Sequence, residues 1–146
     1  MSFPATNWCK LPFSNVLGGT SGIDLNSDTF KCALYTNSIT GTFNFDTTNT
    51  YNSAPWDNNE VSGSGYVSGG GSCASPTLTI SSGKIVFDAS DVSWSSATFT
   101  ARGCLLYDDT ISPKSGIVAV NFGSDFTATA GTFTIQWNPS GIFTIT

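Results

Sequence analysis

Two acids beside an indole are the nearest this chain comes to a reactive constellation. Asp57 and Glu60 follow Trp56 within one polar segment. Paired carboxyl groups facing one cleft are what a glycoside-cleaving enzyme needs, one to protonate the leaving oxygen and one to act as nucleophile or base. An aromatic platform beside them would suit a sugar ring. Asn58 and Asn59 lie between the two acids, however, and Asp and Asn are ordinary turn residues, so a solvated turn is the favoured reading. The chain has no histidine, which removes Ser-His-Asp and Cys-His machinery from within it. Asp108 and Asp109, with Asp88 and Asp91, carry the hard oxygen ligands that calcium takes, but not the regular spacing of a calcium loop. Ser62-Gly63-Ser64-Gly65 lacks the Gly-Lys-Ser/Thr ending of a phosphate-binding loop. No catalytic residue, metal ligand or cofactor is assigned, and the chain is expected not to be an enzyme.

The four cysteines, Cys9, Cys32, Cys73 and Cys104, form no C-x-x-C element and have no histidine to complete a mixed zinc site. Cys32 and Cys104 fall in apolar runs and read as buried thiols. A Cys9–Cys73 bridge stays open.

The composition says what kind of scaffold must position these groups. Only 10% of the 146 residues are charged and 13% are aromatic, and Thr, Ser, Gly and Asn fill much of the rest. Aromatic content of this order can build a core, which excludes disorder. Strong helix formers are scarce, so the chain suits a Thr/Ser-faced antiparallel β-protein. A net charge of −5 with five scattered cations offers no basic stripe for phosphates, so no nucleic-acid partner is expected. No apolar run approaches the ~20 residues that a helix needs to cross a bilayer. No signal peptide and no membrane association are expected.

The most continuously apolar run is Cys104-Leu105-Leu106-Tyr107, which leaves no polar face and predicts a strand covered on both sides. Further strands are expected over residues 29–36, 40–45, 77–80, 83–87, 117–122, 132–137 and 142–146, with a hairpin around Ser81-Ser82-Gly83. The stretch through Trp94 and Phe99 reads as a polar crossing between two strands. Residues 46–72 read as a long loop, of a length that tends to be functional. The expected fold is all-β: an antiparallel β-sandwich, jelly-roll or Ig-like, of seven to eight short strands. Residues 1–20 are expected as an extended N-terminal arm with aromatic anchors, and residues 21–146 as a single β-sandwich domain. Packing of the arm on its own domain, as an edge strand or short helical turn, is favoured over reaching a neighbour.

Several stretches together resemble a family of small virion structural proteins of tailed bacteriophages. They are residues 28–36, the segment Asn59-Glu60-Val61-Ser62-Gly63-Ser64-Gly65-Tyr66, the segment 92–103 around Val92-Ser93-Trp94-Ser95, and residues 122–133. The resemblance covers the chain from about Gly22 onward and carries class rather than mechanism. It implies a capsid decoration or cement protein that binds the assembled major capsid protein shell and stabilises it. Such a protein would be made in the host cytoplasm, sit on the outer surface of the phage head, and form a homo-oligomer, with a trimer suited to threefold positions. The alternative is a tail fibre, baseplate or minor tail protein contacting host-surface glycans, with Trp56 and Asp57 as the sugar platform. The expected partner interface is the aromatic arm (Phe3, Trp8, Phe13) and the loop around Trp56 and Tyr66. Deleting residues 2–16 is then expected to abolish particle binding with the fold intact.

Overall fold

A computed structural model describes residues 2–19, 22–47 and 49–146. The expected arm–domain boundary at Thr20 and Ser21 lies outside them. Along the chain run β1 (Asn7–Trp8), α1 (Lys10–Leu17), β2 (Phe30–Tyr35), β3 (Gly71–Cys73), β4 (Thr77–Ser81), β5 (Lys84–Asp88), β6 (Val92–Asp108), β7 (Gly116–Ile135) and β8 (Phe143–Ile145). They form two antiparallel sheets, one in the order β1-β7-β6-β2-β3 and one in the order β4-β5-β8. The sheets pack together as the expected all-β sandwich.

The large sheet is apolar on both faces. On β2, Phe30, Cys32 and Leu34 join one core cluster and Ala33 and Tyr35 the other; on β6, Cys104 and Leu106 face the first and Leu105 and Tyr107 the second. These four β6 residues are all fully buried, as their unbroken apolar run predicts. The small sheet enters the first cluster through Phe87, whose ring meets Phe30 at 5.3 Å and stacks on Phe143 at 5.1 Å. The second cluster is closed by chain without regular structure: Ile39, Phe43, Phe45, Tyr51 and Trp56.

The expected polar crossing is instead the first half of β6. Val92 and Trp94 face inward, and the pairing with β7 then shifts between Trp94 and Ala97, with Ser96 at a φ of 50°. One extra residue restores the inward phase at Ala97, Phe99 and Ala101, which is what a β-bulge does. A larger bulge interrupts β7. Ala101 pairs with Phe126 but Gly103 with Asn121, so residues 122–125 loop out and are tied back by Arg102 Nε donating to Asp125 Oδ1 at 2.7 Å.

Residues 40–45 do not form the expected strand. Phe43 lies 5.1 Å from Trp56, and the Phe45 carbonyl accepts the Lys10 N–H and Asn49 Nδ2 at 2.8 and 2.9 Å. Burial of the two rings decides this segment, with no ladder partner involved.

The N-terminal residues pack on their own domain, as favoured, though not as an extended arm. Asn7 and Trp8 pair with Ala119 and Val118, and α1 follows with Pro12 in its first turn, where a missing N–H costs nothing. Phe3 is 3% exposed and lies against Tyr35 and Trp56. Removing residues 2–16 would uncover Tyr35 and Trp56, so that deletion is expected to cost stability as well as any particle binding. All four cysteines are free and buried. Cys9 and Cys73 sit in different clusters, which rules out the bridge between them. Cys32 and Cys104 occupy diagonal ladder positions, opposite Leu106 and Leu34, and both remain free thiols.

Candidate functional site

The segment after Trp56 returns antiparallel beside β2. Thr36 N–H donates to the Asn59 carbonyl at 3.1 Å and Val61 N–H to Leu34 at 2.8 Å. Between them the Glu60 carboxylate projects into a ring of donors. Its Oε1 accepts Tyr66 Oη at 2.6 Å and Gly69 N–H at 2.7 Å. Its Oε2 accepts Tyr51 Oη and Ser68 Oγ, each at 3.0 Å. Tyr66 Oη also accepts the Leu34 N–H at 2.9 Å. Tyr107 stacks on Tyr51 at 4.2 Å and donates to the Gly69 carbonyl at 2.8 Å. Burial first, and then the hydrogen bond to Glu60, push the Tyr66 hydroxyl far above its ordinary range. Burial and the nearby carboxylates do the same at Tyr107. Both hydroxyls remain donors at any ordinary pH.

A carboxylate offers about four acceptor positions, and Glu60 uses four. It has no lone pair left for a substrate proton. The arrangement shapes a loop, and the glycines show how tightly. Gly70 has a φ of +81°, and a Cβ there would stand 1.8 Å from the Cys32 carbonyl oxygen. The other half of the suspected sugar site fails too: Trp56 is 1% exposed, enclosed by Phe3, Tyr35 and Phe43, with no ring face open to solvent. Asp57 is exposed and accepts Asn58 Nδ2 at 3.2 Å.

The acids at strand ends are each employed separately. Asp88 Oδ1 accepts the Ala89 N–H and Asp91 Oδ1 the Trp137 N–H, both at 2.9 Å. Asp109 bridges Lys31 and Lys114 at 3.0 and 2.5 Å. Burial would raise its carboxyl, but the two ammonium groups prevail and hold it below the usual range. Asp108 is fully buried; Oδ1 accepts the Thr110 N–H at 2.8 Å and Oδ2 has no partner. Burial, followed by the adjacent Asp28 carboxyl, raises Asp108 to about 6. Among the described residues no group of three or more His, Cys, Asp or Glu could hold a metal ion.

Of the five residues expected at a partner interface, Phe3 and Trp56 are core and Tyr66 is half-buried in the Glu60 network. Phe13 is half-buried between Trp8 at 5.0 Å and Phe143 at 5.4 Å. Trp8 alone keeps a broad accessible face, at 41% exposure.

Sequence reasoning missed one apolar exposure altogether. Ile80, Ile85 and Ile145 stand directly opposite one another across β4, β5 and β8. They share a face with the Leu78–Phe87–Phe143 row, one register step along. Phe87 is fully buried, whereas the isoleucines are 83%, 40% and 38% exposed, so the small sheet overhangs the core and carries its apolar face into solvent. Alternation in the sequence marks such a face but does not show where the opposing sheet stops. A second exposure is a groove of about 540 Å³ along β7, lined by Phe122, Phe126, Phe133 and Trp137 among others.

No protein-family model, curated protein or solved structure matches the chain.

Proposed function

We propose that this chain is a non-enzymatic structural component of a tailed-phage particle. In this reading it is a decoration or cement protein that docks as a homo-oligomer on the outer surface of the assembled major capsid protein shell. The observation that carries a docking role is the overhanging isoleucine row, Ile80–Ile85–Ile145. Leu11 and Leu17 on α1 are also exposed, at 39% and 89%. α1 rests on the same small sheet through the Phe13–Phe143 contact. Meanwhile Glu60, the best-placed acid, is fully used in holding its own loop.

The energetics suit attachment by many copies. Covering the exposed parts of three isoleucines is worth roughly 2–5 kcal/mol, which by itself holds a partner no better than about 0.2 mM. Displayed on a repeating lattice by an oligomer, the same contact becomes firm through avidity. The glycan-binding tail alternative loses its sugar platform because Trp56 is enclosed.

The test is cryo-electron microscopy of particles carrying the protein, with co-sedimentation of purified chain on shells stripped of it. Density repeated over the head lattice is expected, together with at least tenfold lower occupancy for Ile80→Lys at unchanged circular dichroism. Density confined to the tail, or full occupancy by that variant, would refute the proposal.

A further inference from the structure

We infer that the outer edge of β7 is a self-association surface, on which a second copy of this chain lays the same strand antiparallel to form a reversible dimer. This goes beyond the docking role and does not depend on it, because the edge lies on the other sheet from the isoleucine row.

β7 lies between β6 and β1, but β1 pairs only with Val118 and Ala119. Asn121 is closed off by Thr6, whose Oγ1 accepts the Asn121 N–H at 2.9 Å. From Phe122 to Ile135 no described strand pairs with the outer side of β7. The opposite edge of the same ribbon is protected: Ser64 bridges Thr98, and the Thr98 N–H donates to the Ser64 carbonyl at 2.9 Å. One edge is covered and its counterpart is open.

An open edge presents a row of unpaired backbone donors and acceptors, and what satisfies such a row is another extended strand. Proteins that keep long edges free place Lys, Pro or other charges on them. Residues 126–135 contain none of these; one extra residue bulges β7 between Ala128 and Gly131, with Ala130 at a φ of 47°, and nearby Asp125 is engaged by Arg102. Two copies, each of net charge −5, can therefore meet here without bringing like charges together. A twofold axis sets a strand antiparallel to its own copy, so one surface serves as both partners. The side chains support the same arrangement. Phe126 is 51% exposed at the margin of the 540 Å³ groove, a projecting ring beside an apolar recess, and the twofold operation places each ring at the other copy's recess.

The size of the contact fixes its character. Ten residues at ~3.4 Å rise would give a strip of ~34 Å; the bulge at Ala130 shortens it, so at ~10 Å width it covers at most roughly 350 Å² per copy. With the groove added, this stays short of the ~800 Å² per partner of a stable standard interface. The dimer is therefore concentration-dependent rather than obligate.

Sedimentation velocity on the full chain, from roughly 1 μM to 1 mM, spans the affinities expected of such an interface. The weight-average mass should climb from 15.3 kDa toward twice that value. The exposed-site variant Phe126→Lys/Thr129→Lys should stay monomeric throughout, and Ile80→Lys should dimerise as the parent does, which separates this edge from the docking row. Hydrogen exchange on the unmodified protein gives a readout independent of variant folding: amides within 126–135 should slow as concentration rises, and those of β4 should not. A single-chain mass at every concentration, a closed trimer, association that survives the double lysine variant, or edge amides indifferent to concentration would each overturn the inference.

Discussion

Truncating Glu60 to alanine should destabilise this protein far more than a typical change at a polar loop residue. Four donors converge on its two oxygens, but they do not count equally. Ser68 is exposed and recovers water when the carboxylate goes, and Tyr51 partly does. Tyr66 Oη and the N–H of buried Gly69 do not. Hydrogen bonds to a charged acceptor are worth about 1.5–3 kcal/mol each when the donor is stranded, so the two together give a loss of roughly 3–6 kcal/mol. That is a large part of the ~5–15 kcal/mol by which a domain is stable, and corresponds to a fall in Tm of about 10–20 °C at this size. Glu60→Gln is the informative companion. An amide oxygen in the Oε1 position keeps Tyr66 and Gly69, and the new NH2 faces two hydroxyls that can rotate to accept it, so the loss should be near 1 kcal/mol. Guanidinium unfolding followed by tryptophan fluorescence reads both. An alanine variant within ~0.5 kcal/mol of the parent, the range of an unremarkable surface change, would refute the loop-organising role. So would a glutamine variant as damaged as the alanine one, because then charge rather than hydrogen-bond geometry would matter.

Other expectations follow from single positions. Gly70→Ala should abolish folding or cost more than ~4 kcal/mol, because its Cβ would stand 1.8 Å from the Cys32 carbonyl at a φ of +81°; soluble expression with a parental melting curve would contradict it. Asp108 is raised from 3.8 to about 6 in the fold, so between these values the native state holds a proton that the unfolded chain releases. Its contribution is favourable at low pH and is lost as pH rises through 6, leaving a penalty of at most ~3 kcal/mol near pH 7. Asp108→Asn, which mimics the protonated form, should therefore melt higher than the parent at pH 7, with the gap closing toward pH 4; a gap that ignores pH would sink this account. Burial raises the Cys9 thiol to about 12, and the other three thiols are enclosed as well. An aromatic disulfide reagent should label none of the four without denaturant and all four with it.

The fold class was legible because its signals are local. The unbroken run at Cys104–Tyr107 marked a strand buried on both faces, and Ser82 and Gly83, both at positive φ, make the hairpin turn between β4 and β5 that their types predict. What was not legible lies where local pattern and tertiary context part. The extra residue near Ser96 shifts the alternation of β6 out of phase, so a continuous strand reads as two pieces. Phe43 and Phe45 alternate like a strand because they answer to one cluster, not to a ladder. The large aromatic residues Phe3 and Trp56 were expected at a surface, but the irregular layer that covers them has no periodicity from which burial can be read. At Glu60 the trace was present in composition: a lone acid within a segment of Tyr, Ser and Gly, all donors through side chain or backbone.

The two-sided burial of the large sheet changes what the irregular residues between β2 and β3 are. Tyr35, Leu105, Tyr107 and Ala119 are completely hidden although only a single sheet packs across from them, on the opposite face. Their cover is irregular chain, fastened by the Tyr35 hydroxyl to the Trp56 carbonyl at 2.9 Å and by Tyr107 to Gly69 at 2.8 Å. That chain is thus a third stratum of the protein, one with no ladder of its own and stability borrowed from the sheet beneath. Spare length for lineage drift, tags or inserted peptides is to be found around Pro139–Ser140, which are exposed. Shortening the stretch around Trp56 would instead strip one face of the sheet bare.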